Sequence, residues 1–460
     1  MTNTAAALAT LDTNLDAALA RLCDLLKIKS VSTDPAFKAD CAKAAQWLSD
    51  DLNSIGFSAS VRPTAGHSMV VAHAKAAKEN APHVLFYGHY DVQPVDPLNL
   101  WETDPFNPRI VEVDGARQIV ARGSSDDKGQ LMTFVEACRA MMANGGLPCH
   151  VTILFEGEEE CGSSNLPKFL RDNAEELKAD IALVCDTNMW DAKTPAITAM
   201  LRGLVFEEVV VKAATRDLHS GLFGGAAANP IRVLSRALGK LHDDDGRVTL
   251  AGFYDGVAEL PADIAAQWKA LPFDGAAFLG GVGLSVPAGE KGRSVLEQIW
   301  ARPTCEMNGI IGGYTGEGAK TVLPAQASAK VSFRLVSQQD PAKVAESFRA
   351  HMRANIPADC KVEFLSHGAS PAITLPFKSP LLTKARKALG EQWGKDTVIV
   401  GSGGSIPIIG ELKRELNLDS LMIGFALEND KIHSPNEKYE VSSFHGGMKS
   451  WVRVLEELGE

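Results

Sequence analysis

The chain has 460 residues, with 46 Lys and Arg against 57 Asp and Glu and a formal net charge of −11, a length that exceeds one typical domain and suits two. With 45% hydrophobic and 22% charged residues, the composition is globular and excludes disordered, collagen-like and coiled-coil chains. The acidic balance, without any Lys/Arg-rich stripe, argues against nucleic acid or an anionic membrane as the main partner, and no apolar run approaches the roughly 18 residues of a membrane span.

The first 23 residues are Ala-rich, lack a basic leader and carry acids among their apolar positions. They read as an amphipathic helix rather than a signal peptide. Three apolar runs follow, His83-Val-Leu-Phe-Tyr-Gly88, Val151-Thr-Ile-Leu-Phe155 and Ile181-Ala-Leu-Val-Cys185, and two more lie near the end, Val398-Ile-Val400 and Leu421-Met-Ile-Gly424. Continuous runs of this length suit strands buried on both faces of a mainly parallel sheet. Leu131, Phe134, Val135, Cys138 and Met142 recur at helical spacing between them, so the expected architecture is α/β with helices on both faces.

From about 204 to 365 the pattern changes. Val331, Phe333 and Leu335 alternate with Lys330, Ser332 and Arg334, as in a strand with one face in solvent. The order strand (204–212), helix (228–242), strand (306–313), strand (327–336), helix (341–354), strand (361–366) is the ferredoxin-like motif. The simplest organisation is an α+β domain at 204–365 inserted into a discontinuous catalytic domain, 1–203 and 366–460. Residues 243–300, with Pro261, Pro272 and Pro287, read as an elaboration of the insert. The eight cysteines form no C-x-x-C pair, which predicts a reduced, cytoplasmic protein.

Ligands bind at the carboxyl ends of strands in open α/β sheets, and here each run ends on groups that ligate metal. His89, Tyr90 and Asp91 follow the first; Glu156, Glu158, Glu159 and Glu160 follow the second; Asp186 follows the third; and a short loop after the last reaches His433. The segment 118–122 leads through Gly123-Ser-Ser-Asp-Asp-Lys-Gly129 into a helix. Singly, each has a plainer reading: Asp126 and Asp127 suit a helix start, the Glu run suits a solvated face, and Asp186 suits a turn. Together they place two His and at least four carboxylates on one sheet edge, where the acids would repel strongly unless divalent cations offset them. Two His and three carboxylates, one bridging, suit a pair of metal ions that activate water for hydrolysis. Nitrogen and oxygen donors without thiolate favour Zn²⁺, with Mn²⁺ or Co²⁺ compatible. Asp91 can accept the free ring N–H of His89, and one acid of the Glu run can move the proton.

Gly88-His-Tyr-Asp-Val-Gln-Pro94, Gly123-Ser-Ser-Asp-Asp-Lys-Gly129, Glu156-Gly-Glu-Glu-Glu-Cys-Gly-Ser163, Asp217-Leu-His-Ser-Gly221 and His433-Ser-Pro-Asn-Glu437 occur in that order. This strongly resembles the M20 family of dinuclear metallopeptidases, and within it the dipeptidase branch of the cytosolic nonspecific dipeptidase and carnosinase type. The resemblance covers nearly the whole chain. It implies His89 and Asp186 on one ion, Glu160 and His433 on the other, and Asp126 bridging, with a cis peptide to Asp127. It implies Glu159 as general base and acid, His219, Thr321, Arg334 and Ser405 as substrate contacts, and a homodimer formed through the inserted lid. Its substrates would be dipeptides or short peptides with a free C-terminal carboxylate.

The chain departs from the pattern at Cys161, where relatives often have Ser; at Glu158, a third acid; and at Gly401-Ser402, where an Arg-Glu pair is expected. Gly162-Ser163 place the functional Glu pair at 159 and 160. The rival within the family is an N-acyl amino acid deacylase or desuccinylase; those often carry Glu where this chain has Asp186. An inactive metal-binding or assembly protein would be expected to lack a ligand or the base, and an oxidoreductase is opposed by the absence of a G-x-G-x-x-G after a strand.

Overall fold

The computed structural model describes residues 3–404 and 406–460. The chain divides into two compact units: Met1–Ala199 with Leu375–Val400 and Pro407–Glu460, and Met200–Thr374 with Gly401–Ile406.

In the first unit the main sheet runs in the order Ser58–Arg62, Met69–Ala74, His150–Glu156, His83–His89, Ile181–Val184, Ser420–Met422, Ala196–Leu201. Four of the five expected apolar runs, those at 83–88, 151–155, 181–185 and 421–424, are its central strands and pair in parallel, while the fifth, in the strand Val398–Ser402, pairs with Ala196–Leu201 off this path; the Met69–Ala74 and Ala196–Leu201 strands are antiparallel to their neighbours. Their Val, Ile, Leu and Phe side chains are buried on both faces, which is why the runs are continuous rather than alternating. Phe86 stacks on Phe134 of the helix Lys128–Ala143 with ring centroids 3.8 Å apart, and Trp451 of the last helix, Val441–Gly459, meets both edge-on. Trp451 also donates its indole N–H to Thr133 Oγ1 at 3.0 Å.

The N-terminal stretch forms two helices rather than one, Thr4–Thr13 and Leu15–Leu26. Asn14 leaves helical geometry between them, its N–H reaching Thr10 O and its own carbonyl accepting from Ala18. Asp12, Thr13 and Asn14 are all weak helix formers, because their side chains compete for backbone hydrogen bonds.

Segment 118–122 does not enter the main sheet. Arg109–Val113, Ala116–Val120 and Lys438–Glu440 form a separate three-stranded sheet. Its pairing of Val120 with Lys438 places the loop after one strand beside the segment before the other, and Ala121 N–H donates to Glu437 O at 3.1 Å.

The second unit holds a four-stranded antiparallel sheet in the order Thr304–Gly312, Gln326–Leu335, Gly203–Lys212, Lys361–Ser370. With the helices Pro230–Leu238 and Pro341–Asn355, this is the ferredoxin-like arrangement. Asn229 and Asp340 cap those helices by accepting backbone N–H groups of the first turn, each just ahead of a Pro at the first helical position. Val205, Val209, Val331 and Phe333 on the covered sheet face pack with Leu234, Phe348 and Met352 of the helices. Segment 243–300 adds three short helices, Ala262–Ala270, Gly275–Gly280 and Val295–Trp300.

Candidate metal centre

In the first unit's sheet, the register puts His89 beside Glu156, and Tyr87 beside Val184, whose other neighbour is Met422. The carboxyl ends of four neighbouring strands therefore finish level, and the groups just beyond them share one edge.

Two clusters of ligand atoms meet there: His89, Asp126 and Asp186, and Asp126, Glu160 and His433. Asp126 belongs to both. Its Oδ1 lies 3.0 Å from His89 Nε2 and its Oδ2 lies 2.8 Å from His433 Nε2. Asp186 Oδ2 is 4.0 Å from His89 Nε2, and Glu160 Oε1 is 3.3 Å from His433 Nε2. The Asp126–Asp127 peptide is cis. His433 adopts a left-handed backbone, φ 61°, a conformation that a residue other than Gly adopts at some cost and that recurs at functional sites.

The electrostatics are those of a site built around positive charge. Burial and then the neighbouring Asp126 carboxylate raise the Asp186 pKa to about 7. Hydrogen bonds to Asp126 and then Glu160 raise His433 to about 10. Burial opposes ionisation of Asp126, yet His433 and His89 hold its carboxyl below the usual range. Glu160 Oε1 is buried and faces His433 Nε2. Three carboxylates and two imidazoles fit a pair of divalent cations, with Asp126 the one group offered to both clusters.

The surrounding residues govern how the ligands are aimed. Asp91 O lies 3.2 Å and Asp91 Oδ1 3.5 Å from His89 Nδ1, leaving His89 Nε2 for the site. The same Asp91 carboxylate accepts the backbone N–H of Glu159 and of Glu160, so one side chain orients both the histidine and the Glu run. Gln93 donates to Glu160 Oε2 at 2.7 Å. Glu158 turns away: its oxygens take Asn165 Nδ2 at 2.8 and 3.0 Å and the His67 N–H at 3.0 Å. Among the described residues Glu159 has no comparable side-chain partner, and burial, with Glu160, Asp91 and Asp126 adding to it against the pull of His89, raises its pKa.

The structure thus brings His89, Asp91, Asp126, Glu159, Glu160, Asp186 and His433 together. His219, Thr321 and Arg334 lie in the second unit, and Ser405 lies outside the described residues. His219 pairs in a short ladder with Val322, and Ser220 N–H donates to Thr321 O at 3.0 Å. Gly221 N–H donates to His219 Nδ1 at 3.0 Å, so the ring proton sits on Nε2. Sequence reasoning missed Gln93 and Glu437. Both lie inside the family-like motifs, so the signal was present, but nothing in one sequence says that Glu437 is buried against the 123–126 loop.

Residues 85–457 match Peptidase family M20/M25/M40. The chain is 31% identical to the Cys-Gly metallodipeptidase of Saccharomyces cerevisiae, covering 96% of this chain and 95% of that protein. It is 28% identical to the human Beta-Ala-His dipeptidase over 82% of this chain and 75% of the relative. The structure of an M20 family metallo-carboxypeptidase from Sulfolobus solfataricus superposes with a TM-score of 0.78 at 31% identity, covering 96% of this chain and 99% of that one.

Proposed function

The chain belongs to peptidase family M20/M25/M40, and from that membership we propose that it hydrolyses the amide bond of dipeptides or short peptides bearing a free C-terminal carboxylate, with two divalent metal ions in each subunit. The observation that carries this reading is Asp126, whose two oxygens face His89 and His433 from two different ligand clusters. His89 and Asp186 would hold one ion, Glu160 and His433 the other, with Asp126 bridging. The donors are nitrogen and oxygen without thiolate, which favours Zn²⁺, with Mn²⁺ and Co²⁺ as substitutes. Bound there, the ions would supply Lewis acidity at the scissile carbonyl and lower the pKa of the attacking water.

The protein's own groups do the remaining work. Glu159 takes the proton from water on its carboxylate and passes it to the nitrogen of the leaving amine; its pKa, raised first by burial, suits both halves of that transfer. Asp91 keeps His89 in one tautomer and holds Glu159 and Glu160 through their backbone N–H groups. In the inserted lid, Arg334 holds the substrate's terminal carboxylate and His219 offers Nε2–H to the oxyanion, with Thr321 and Ser405 as further contacts. The lid's edge strand Thr304–Gly312 exposes Ile310 and Ile311, a surface that supports pairing with a second copy. The eight free cysteines support a cytoplasmic location.

The test is a panel of dipeptides, cysteinylglycine and β-alanylhistidine included, against N-acetyl and N-succinyl amino acids, after chelation and re-addition of Zn²⁺ or Mn²⁺. Metal-restored turnover of the dipeptides is expected. Turnover confined to the acylated amino acids would overturn the dipeptidase reading.

A further inference from the structure

Arg202 immediately precedes the lid strand Gly203–Lys212. Where that strand pairs with Gln326–Leu335, Leu204 stands opposite Arg334 and Gly203 opposite Leu335. Side chains alternate along a strand, so Arg202 shares a face with Leu204 and Arg334, one diagonal step from Arg334. Long side chains interact across that diagonal.

The Arg202 fork is held by the 402–404 turn. Its Nε donates to Gly403 O at 3.1 Å, and its backbone N–H donates to Ser402 O at 3.4 Å. A Cβ at Gly403 would stand only 3.1 Å from Arg202 Nη2, so the glycine lets the guanidinium lie against the backbone. This leaves the remaining donors of a half-buried, oriented cation without an ion pair among the described residues.

Among the described residues neither Arg202 nor Arg334 makes an ion pair, and Arg334 makes no side-chain hydrogen bond. Nearby cations of the lid are paired: Lys330 with Glu208 at 2.6 Å and Arg349 with Glu207 at 2.8 Å. Burial and then the positive charge of Arg334 lower the pKa of Arg202, against a smaller opposing pull from Glu306. Two unneutralised guanidiniums on one sheet face repel each other, and an anion between them removes that repulsion while gaining charge-assisted hydrogen bonds.

We infer that Arg202 is a second arm of the carboxylate clamp, holding the C-terminal carboxylate of the peptide substrate together with Arg334 while the 402–404 turn fixes its fork. The inference rests on the dipeptidase reading, in which Arg334 meets that carboxylate. It makes Arg202 a specificity-determining residue, one that selects free acids over blocked C-termini.

The experiment compares wild type, Arg202→Met and Arg202→Lys on cysteinylglycine, or the dipeptide of the panel turned over fastest, and on its C-terminal amide. Circular dichroism and thermal melts establish that each variant is folded. Arg202→Met is expected to raise KM for the free acid by about 10–100-fold, the loss of a hydrogen bond to a charged group, with kcat changed little. Arg202→Lys should recover part of the loss, and the amide should respond less than about twofold because it presents no charge to the clamp. Combining Arg202→Met with Arg334→Met should cost less than the product of the two single effects, since both arms act on one group. Equal losses on acid and amide, or an unchanged KM for the acid in folded Arg202→Met, would overturn this inference alone. A wild-type enzyme inert on every dipeptide would overturn the dipeptidase reading and the inference with it.

Discussion

Glu437 accepts the backbone N–H of Asp126 at 3.0 Å, tying the segment that carries His433 to the loop that carries the acid shared by both ligand clusters. The same carboxylate takes the N–H of Gly123 at 3.0 Å, that of Ser125 at 2.9 Å and Arg122 Nη1 at 2.7 Å. A second buried acid, Asp430, accepts from Ser125 Oγ at 2.8 Å and pairs with Lys438 at 2.7 Å. The 123–126 loop has almost no freedom of its own. It is shaped by two carboxylates that lie more than 300 residues later in the chain.

That clamp predicts a large effect from substituting a residue outside both ligand clusters. Arg122 and Glu437 are both about 1% exposed, so Glu437→Ala leaves a buried guanidinium unpaired and three backbone N–H groups without an acceptor. Breaking a buried pair in this way costs about 3–5 kcal/mol. Denaturant unfolding should show that loss, and metal titration should show weaker binding at both ions, because Asp126 serves both. Unchanged unfolding and metal content would show that the clamp does not hold the loop.

The three consecutive acids should separate cleanly. Glu159→Gln should keep both metals yet lose about 10²–10⁴-fold in turnover, as removal of a general acid–base group does. Glu160→Gln should weaken one metal, and elemental analysis after gel filtration would detect it. Glu158→Gln should leave the metal content unaltered, since its oxygens serve Asn165 and the His67 N–H. Full activity in Glu159→Gln together with metal loss in Glu158→Gln would shift the assignment by one residue.

Much of this site was legible in the sequence because strand ends and metal chemistry leave compositional marks. One apolar run that stops at a His or an acid is commonplace, but three that stop at His89, Glu156 and Asp186 define a common ligand-bearing edge. The alternation of Lys330 to Leu335 marks a half-exposed strand by its period alone. The run Glu158-Glu-Glu160 was different. Identity within the run leaves the choice open by one residue; Gly162-Ser163 downstream place the pair at 159 and 160, and the structure adds what no sequence shows, that Glu158 is committed to Asn165. The separate three-stranded sheet was also illegible, because its pairing of Val120 with Lys438 is a long-range contact between two short segments with no periodic signal. The N-terminal break at Asn14 was in principle readable from the weak helix formers around it, but the Ala-rich flanks masked it.

Selectivity for a free C-terminus gives a third expectation, at Arg334. Lys in its place keeps the charge but loses the planar fork that meets a carboxylate at two points. Arg334→Lys should therefore raise KM for free dipeptides, and the wild-type enzyme should be slow on dipeptide amides. Equal rates of the wild type on acid and amide, measured by release of the N-terminal amino acid, would take Arg334 out of carboxylate recognition.

The last expectation concerns His219. Gly221 N–H occupies its Nδ1, so the neutral ring carries its proton on Nε2, and the exposed imidazole presents that N–H outward as a donor. A donor so fixed can stabilise an oxyanion on the scissile carbonyl, and removing such a group costs about 10²–10³-fold in kcat. If the dimer forms through the lid and His219 serves the partner's site, two inactive variants should complement each other. Equal amounts of Glu159→Gln and His219→Ala chains are mixed under conditions that exchange subunits. In a mixed dimer, the His219→Ala chain supplies an intact Glu159 and receives an intact His219 from its partner, while the other site lacks both groups. Random pairing makes about half of the dimers mixed, each with one working site of two, so activity should return to about a quarter of the wild-type level. Exchange is verified independently by mass tags on the two chains. If exchange is complete and activity stays at the level of the separate variants, His219 acts within its own subunit or outside catalysis.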